Sequence, residues 1–173
     1  MNRLLAKFTG RAVKNWQAFS TTIDEGVRKI REAGSPASNY EAEVSAARAA
    51  FTAAPSPALC RKWMEAESLR QAAAVVVEEL RNLGNSARDE LLHTPEAQGK
   101  LRDALEEILA ALTAKRDAVV AADKARADET GVEEPSVNTL AAIDREIQQV
   151  EGAKGWIGPD PGRAASAIQT FLA

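Results

Sequence analysis

The side chains that most often act as acid, base or nucleophile at neutral pH are scarce in this chain. It has one histidine, His93, and one cysteine, Cys60. Asp89 lies four residues before His93, on the same face of a predicted helix, so the two offer two ligands to a metal. Zinc sites normally use three or four protein ligands, so we interpret His93 as a residue that stabilises the negative end of a helix dipole.

Cys60 is the best candidate for a nucleophile. Arg61 and Lys62 follow it, and it lies near a predicted helix N-terminus, which are settings that favour a reactive thiolate. No histidine is near it in sequence, and a lone cysteine in a helix is usually a small buried hydrophobic residue. We therefore predict a packing role for Cys60, with an enzyme or redox sensor as an alternative. A single cysteine excludes a disulfide within the chain.

Three acidic pairs have the residue type needed for acid–base or di-iron chemistry: Glu78-Glu79, Glu106-Glu107 and Glu133-Glu134. Di-iron bundles need a Glu-x-x-His motif on each of two helices, which one histidine cannot supply. We interpret these acids as solvated helix faces, with Arg81 placed to pair with Glu78 and Arg102 with Glu106.

No nucleotide or phosphate loop is present either. The glycines of Gly152-Ala153-Lys154-Gly155 match the GxxG loop of KH domains in spacing alone, since no strand is predicted beside them. A G-x-x-x-x-G-K-[ST] phosphate loop is missing from the sequence. The sequence predicts no catalytic residue, no metal site, no cofactor and no small-molecule substrate.

The composition of the chain indicates helices. About a fifth of the 173 residues are alanine, only 5% are aromatic, and no segment alternates apolar and polar residues as strands do. A Ser or Thr hydroxyl can cap the first turn of a helix, and proline suits its first position. Such dipeptides mark three helix starts: Ser35-Pro36, Ser56-Pro57 and Thr94-Pro95.

Apolar spacing defines the individual helices. An 11-residue repeat predicts one continuous first helix, which Gly34 ends, although Gly26 and a capping box at Thr22 argue for a bend. The repeat consists of Leu5, Phe8, Ala12, Trp16, Phe19, Ile23, Val27 and Ile30. The third helix starts at Pro57, and Leu83-Gly84-Asn85 predicts its end, with a short continuation to Leu92. The seams expected to pack, in near-heptad spacing, are Leu59, Trp63, Ala66, Ala73, Val77 and Leu80 in the third helix, and Leu101, Leu105, Ile108, Leu112 and Val119 in the fourth.

A loop is predicted from Gly131 to Pro135, and a fifth helix after Ser136, its expected cap. Because the connection at His93-Thr94 is short, the third and fourth helices are expected to form an antiparallel hairpin. The predicted fold is all-α: an elongated antiparallel helical bundle with this long central hairpin and an irregular Gly/Pro-containing C-terminal tail. We predict a bundle over residues 1–151 and an irregular tail over 152–173, in which Ala164 to Leu172 forms a short helix.

Charge is unevenly distributed. The first 32 residues contain seven basic and three acidic residues, a net +4, so the chain's −3 leaves −7 for the remainder. Arg3, Lys7, Arg11 and Lys14 form a basic stripe opposite Phe8, Trp16 and Phe19. Such a helix is typical of a bundle helix with a basic solvent face, and equally of a segment that binds an anionic membrane, a nucleic acid or an acidic partner helix.

The C-terminal region carries apolar anchors of a second kind. Trp156 and Ile157 lie among glycines and prolines, and Phe171 and Leu172 end the chain's last predicted helix. Tryptophan is enriched at interface hot spots. We expect these side chains either to fold back over the bundle end or to dock on a neighbouring protein.

Together these patterns favour a non-enzymatic helical protein that binds other proteins or itself, and we expect it to self-associate through the seams of the third and fourth helices. Scarce reactive groups and long apolar stripes suit a structural or interaction subunit of a larger assembly. The alanine–arginine bias suggests a bacterial or phage origin, hence a cytoplasmic location or a place in a virion. The alternative is a peripheral membrane or nucleic-acid binder that uses residues 1–19. No segment approaches the roughly 20 apolar residues that span a bilayer, and no secretory signal is expected.

Overall fold

The computed structural model describes residues 10–33, 40–131 and 135–172, and every regular element in these ranges is an α-helix. The helices are α1 (Arg11–Ala33), α2 (Tyr40–Ala53), α3 (Pro57–Leu92), α4 (Pro95–Thr130), α5 (Val137–Gly155) and α6 (Pro161–Leu172). The all-α prediction is confirmed for these residues. They form two compact units: one groups the residues up to Thr22 with those from Asp89 onward, and the other spans Ile23–Arg88.

The first unit has a core built on α4. Its buried side chains recur at the spacing of one helix face, as predicted for the fourth-helix seam. Val13 and Trp16 of α1 are buried in the same unit, and Trp16 is 2% exposed. α5 and α6 both pack on α4 and on each other. The other buried residues of these three helices are Ala97, Leu101, Ala104, Leu105, Ile108, Leu112, Ile143, Val150, Ala153, Pro161, Ala164, Ala165, Ile168 and Phe171.

Polar contacts fix the register of α4 against α5. The Arg116 Nε donates to Asp144 Oδ1 at 2.7 Å, and Lys154 Nζ lies 3.3 Å from Glu106 Oε1. From Arg116 to Glu106 the residue number in α4 falls by ten, while from Asp144 to Lys154 the number of the contacting residue in α5 rises by ten. The two helices therefore run antiparallel. This pair is the helical hairpin described within the first unit, whereas the predicted hairpin of the third and fourth helices stays a prediction.

Caps define the ends of α4 and the start of α5. Thr94 Oγ1 accepts from the Ala97 N–H at 3.3 Å, and Gly131 closes α4 in the left-handed conformation with φ 67°. Ser136 directly precedes α5 as predicted, but its side chain does not cap that helix. The Ser136 N–H and hydroxyl instead donate to the two Asp123 carboxylate oxygens at 2.7 and 2.8 Å. These hydrogen bonds, the backbone one first, lower the pKa of Asp123.

In the second unit, α2 packs antiparallel on the N-terminal half of α3. The Phe51 and Trp63 rings stack with centroids 5.8 Å apart, and an Arg70 guanidinium nitrogen lies 3.3 Å from Glu41 Oε1. Arg70 also donates to Glu67 on its own helix, which lowers the pKa of Glu67. Trp63 and Arg70 therefore mark the side of α3 that faces α2.

The C-terminal half of α3 contacts the end of α1 on the same side. A methyl group placed on Gly84 would lie 3.2 Å from Val27 Cγ1 and 3.3 Å from Arg31 Nε. The predicted helix end at Leu83-Gly84-Asn85 is wrong, because α3 continues unbroken to Leu92. Gly84 therefore allows α3 and α1 to approach each other closely, and it does not form a left-handed turn.

The tail prediction also needs correction at its start. The glycines from residue 152 onward were expected to prevent a helix, yet α5 runs through Gly152 to Gly155. Each interior glycine costs about 1 kcal/mol relative to alanine, and burial of Val150 and Ala153 outweighs that cost. α6 begins at Pro161, three residues before the predicted start. The division of the chain at residue 151 stays a prediction.

The long first helix is confirmed over its described part. α1 runs from Arg11 to Ala33 without a break at Thr22 or Gly26. Trp16, Ile23 and Val27 of the predicted repeat are buried, and so is Val13, which the repeat did not include. The beginning of the predicted helix, with Leu5 and Phe8, lies outside the described residues, as does the Ser35-Pro36 start.

Candidate interaction surfaces

His93 and Cys60, the two candidate reactive residues, belong to different units. His93 follows the last residue of α3, and its Nδ1 lies 2.9 Å from the Asp89 carbonyl oxygen and 3.6 Å from Asp89 Oδ1. Cys60 is half-buried in the first turns of α3. Within the described ranges, no group of three or more His, Cys, Asp or Glu side chains is arranged to hold a metal ion.

The acidic pairs are partnered in ways that differ in part from the prediction. Glu78 binds Arg81 at 2.8 Å as expected, whereas Glu106 pairs with Lys154 rather than with Arg102. Glu107 was predicted to be solvated, but its Oε2 accepts the Val13 N–H at 3.0 Å. A carboxylate from α4 thus caps the first turn of α1, where the helix dipole favours negative charge. The pair Glu133-Glu134 lies outside the described residues.

The basic stripe is described only in its second half. Arg11 and Lys14 are exposed on α1, while Arg3 and Lys7 lie outside the described residues. Trp16, predicted to take part in binding, packs inside the first unit. Phe19 is half-buried beneath the Lys100 ammonium, 5.1 Å from the ring centroid. Trp16 is thus buried within the first unit, and Phe19 contacts Lys100 of α4.

The predicted C-terminal anchors divide into buried and exposed side chains. Ile157 and Phe171 are buried and Leu172 is half-buried, so this part of the tail folds back onto the first unit. Trp156 stays 37% exposed at a groove of about 310 Å³ between α5 and α6. The Arg163 guanidinium stacks on the indole, 4.0 Å from its centroid. The arginine thereby covers one face of the Trp156 indole.

Among the described residues, most of the large apolar side chains that are exposed lie on α3. Four of them lie on the side away from Trp63, with exposed fractions of 63% for Met64, 57% for Val75, 42% for Val76 and 56% for Leu83. Leu69, 52% exposed, flanks this side, whereas Val77 is 39% exposed on the side of Trp63. Met64 and Leu69 share an open depression of about 590 Å³ with Arg61, Glu65 and Ser68. Monomeric proteins rarely expose contiguous apolar surface of this kind unless it binds something.

Sequence reasoning missed this surface because it followed the other face of the helix. The predicted seam is half-buried in the second unit at five of its six positions, Leu59, Trp63, Ala66, Ala73 and Leu80, but it is exposed at Val77. The signal that identifies the second face is a run of apolar residues wider than one face, as in Val75-Val76-Val77. A helix that is apolar on opposite sides has two surfaces to cover.

Comparison of the chain with protein-family models, with curated proteins and with solved structures gives no match. The functional inference therefore depends on the residues and their arrangement. None of the described helices combines the length and the hydropathy that crossing a bilayer requires.

Proposed function

We propose that this chain is a non-enzymatic helical protein that acts by binding other proteins, as a structural or accessory subunit of a larger assembly. The alanine–arginine bias of the composition is what suggests a bacterial or phage assembly, with a cytoplasmic or virion location. The observation that carries the proposal is the exposed apolar face of α3, which no described residue covers.

Energetics support a binding role for this face. Burying one Val, Leu or Met side chain contributes about 1.5–3 kcal/mol, so several on one face supply a substantial part of the free energy of a specific complex. Charged residues, including Arg61 and Glu79, accompany the apolar ones, which resembles the apolar core and polar rim of protein interfaces. The fourth-helix seam is not available to a partner, because Leu101, Leu105 and Ile108 are fully buried.

Photo-crosslinking tests the proposal. A benzophenone amino acid at Leu69, introduced in cells that naturally produce the chain, should give an adduct of defined mass with a protein. Val76→Lys in the same chain should abolish that adduct, because the charge lies about two turns away on the same face. The matched control places the crosslinker at the exposed Lys124 of α4, where no such adduct should form. If no protein adduct depends on Val76, the proposed function is wrong.

The alternative function, binding of an anionic membrane or nucleic acid through residues 1–19, has the exposed Arg11 and Lys14 in its favour. The burial of Trp16 weighs against it, since an interfacial helix inserts its aromatic side chains. Arg11→Glu with Lys14→Glu would abolish binding to anionic vesicles or DNA under this alternative, and binding would fall steeply with salt. Under the proposed function, the chain binds neither ligand at physiological ionic strength.

A further inference from the structure

One line of residues along the exposed face of α3 has a spacing that is the same in both directions, with opposite charges at its two ends. Along one line of the helix, the residues follow steps of three, four, four, four and three: Arg61, Met64, Ser68, Ala72, Val76 and Glu79. All six are exposed, and they lie on the side of α3 opposite the contacts with α2 and α1. The pattern is basic at one end, apolar inside both ends, small in the middle and acidic at the other end.

Helix geometry places the two ends of the pattern on the same line. Arg61 and Glu79 are 18 residues apart, which is about five full turns and about 27 Å. Neither side chain forms an ion pair with another described residue, so both charges are available to a partner. This separates them from Glu78 and Arg81 nearby, which pair with each other.

A two-fold axis through the level of residue 70 makes this face complementary to itself. It places Arg61 of one copy opposite Glu79 of the other, twice, and Met64 opposite Val76, twice. Ser68 then lies opposite Ala72, and side chains of this size allow two helix axes to approach closely. The Ser68 hydroxyl already donates to the Met64 carbonyl oxygen at 2.9 Å, so its hydrogen bond is satisfied within the helix.

We propose that the exposed face of α3 binds a second copy of this chain, with the two α3 helices antiparallel about the level of residue 70. This inference rests on the proposed function, since it names the partner of the same surface. A parallel pairing would put Arg61 against Arg61 and Glu79 against Glu79, and like charges there oppose association. Charge complementarity thus selects both the occupant and its direction.

Charge exchange tests the pairing directly. The intact chain should sediment as a reversible dimer, with twice the mass of the chain at high concentration. Arg61→Glu alone and Glu79→Lys alone should each weaken the dimer about tenfold, because each creates two like-charge contacts. The double variant Arg61→Glu/Glu79→Lys should return the dissociation constant to within about threefold of the original, since the exchanged charges attract again.

Two variants of equal charge change serve as controls. Lys124→Glu and Glu129→Lys change exposed residues of α4 and should leave the dissociation constant unchanged. Met64→Lys/Val76→Lys should abolish the dimer. All variants alter exposed side chains, and far-ultraviolet circular dichroism verifies that each one retains its helix content.

Spin labels measure the direction of pairing. With Cys60→Ser to remove the native thiol, a label on Asn82→Cys should lie about 36 Å from its counterpart along the helix axis of the antiparallel dimer, against about 10 Å in a parallel one. Any of four results overturns this inference. These are a label-to-label distance near 10 Å, a double charge variant that does not regain the dimer, a dimer that survives Met64→Lys/Val76→Lys, and an intact chain that remains monomeric. A monomeric chain that still forms the Val76-dependent adduct with a different protein would leave the proposed function standing.

Discussion

The contact between Glu107 and the start of α1 allows a quantitative prediction about the first unit. Gly10 directly precedes α1, and a methyl group on it would overlap the Glu107 carboxylate. Gly10→Ala therefore displaces this carboxylate and removes its hydrogen bond to the Val13 N–H. Loss of a helix N-cap costs about 1 kcal/mol, and for a chain of this size that lowers the melting temperature by about 3 °C.

A double-mutant cycle separates this contact from the intrinsic preference of the capping position. Alanine is a poorer N-cap than glycine in any background, so Gly10→Ala keeps a cost in Glu107→Ala as well. Both changes remove the same hydrogen bond, from the Val13 N–H to the Glu107 carboxylate, and the double variant loses it only once. The coupling energy between the two changes should therefore be about 1 kcal/mol.

Urea unfolding followed by tryptophan fluorescence in a Trp63→Phe background measures this coupling. The remaining Trp16 and Trp156 both belong to the first unit. Gly99→Ala, inside α4 of the same unit, is the matched control: its methyl group meets no neighbour and should raise the free energy of unfolding by about 0.5–1 kcal/mol, with no coupling to Glu107. Purely additive costs for Gly10→Ala and Glu107→Ala would refute the proposed cap.

Three further predictions concern the glycine contacts and the connection of α4 to α5. Gly84→Val should lower the free energy of unfolding by about 2 kcal/mol, since its side chain crowds Val27 and Arg31; unchanged urea unfolding would contradict that packing. The lowered pKa of Asp123 stabilises the fold fully above that group's ordinary pKa, and this contribution is lost as the pH falls through the lower folded value. Ser136→Ala should raise that pKa only in part, as followed by carboxyl NMR with the exposed Asn138→Ala as control, because the backbone N–H of residue 136 still donates. Gly131→Ala should cost about 1 kcal/mol locally, seen as faster amide exchange over the last turn of α4, because φ 67° strains any residue with a side chain.

The sequence predicted helix ends correctly where the conformational preference of a single proline or glycine determines them. Pro57 and Pro95 begin helices as expected, and Gly131 ends one in the left-handed conformation. Gly84 and Gly152 look the same in sequence but lie inside helices, because contacts from elsewhere in the fold or burial nearby determine their role. No local pattern contains that information.

The candidate surfaces show the same division between local and tertiary information. Phe171 and Ile157 are apolar residues near glycine and proline, a pattern that suits a docking tail and a folded-back helix equally. Only the packing of α6 on α4 and α5 decides that they are buried. The Glu107 cap was also beyond prediction, since 94 residues separate the carboxylate from the N–H that it accepts.

The two faces of α3 explain why one helix can serve both the fold and an interaction. Trp63 and Arg70 hold α2, and Gly84 admits α1, so the inward face is committed to the second unit. An outward face serving only solubility would need charge rather than Met64 and Val76, whose exposure stabilises nothing within the chain. In the proposed contact, Arg61 and Glu79 restrict the choice of partner, because a surface with the same order of charges would place like charges together. The same six residues therefore supply the affinity of the proposed contact and its choice of partner.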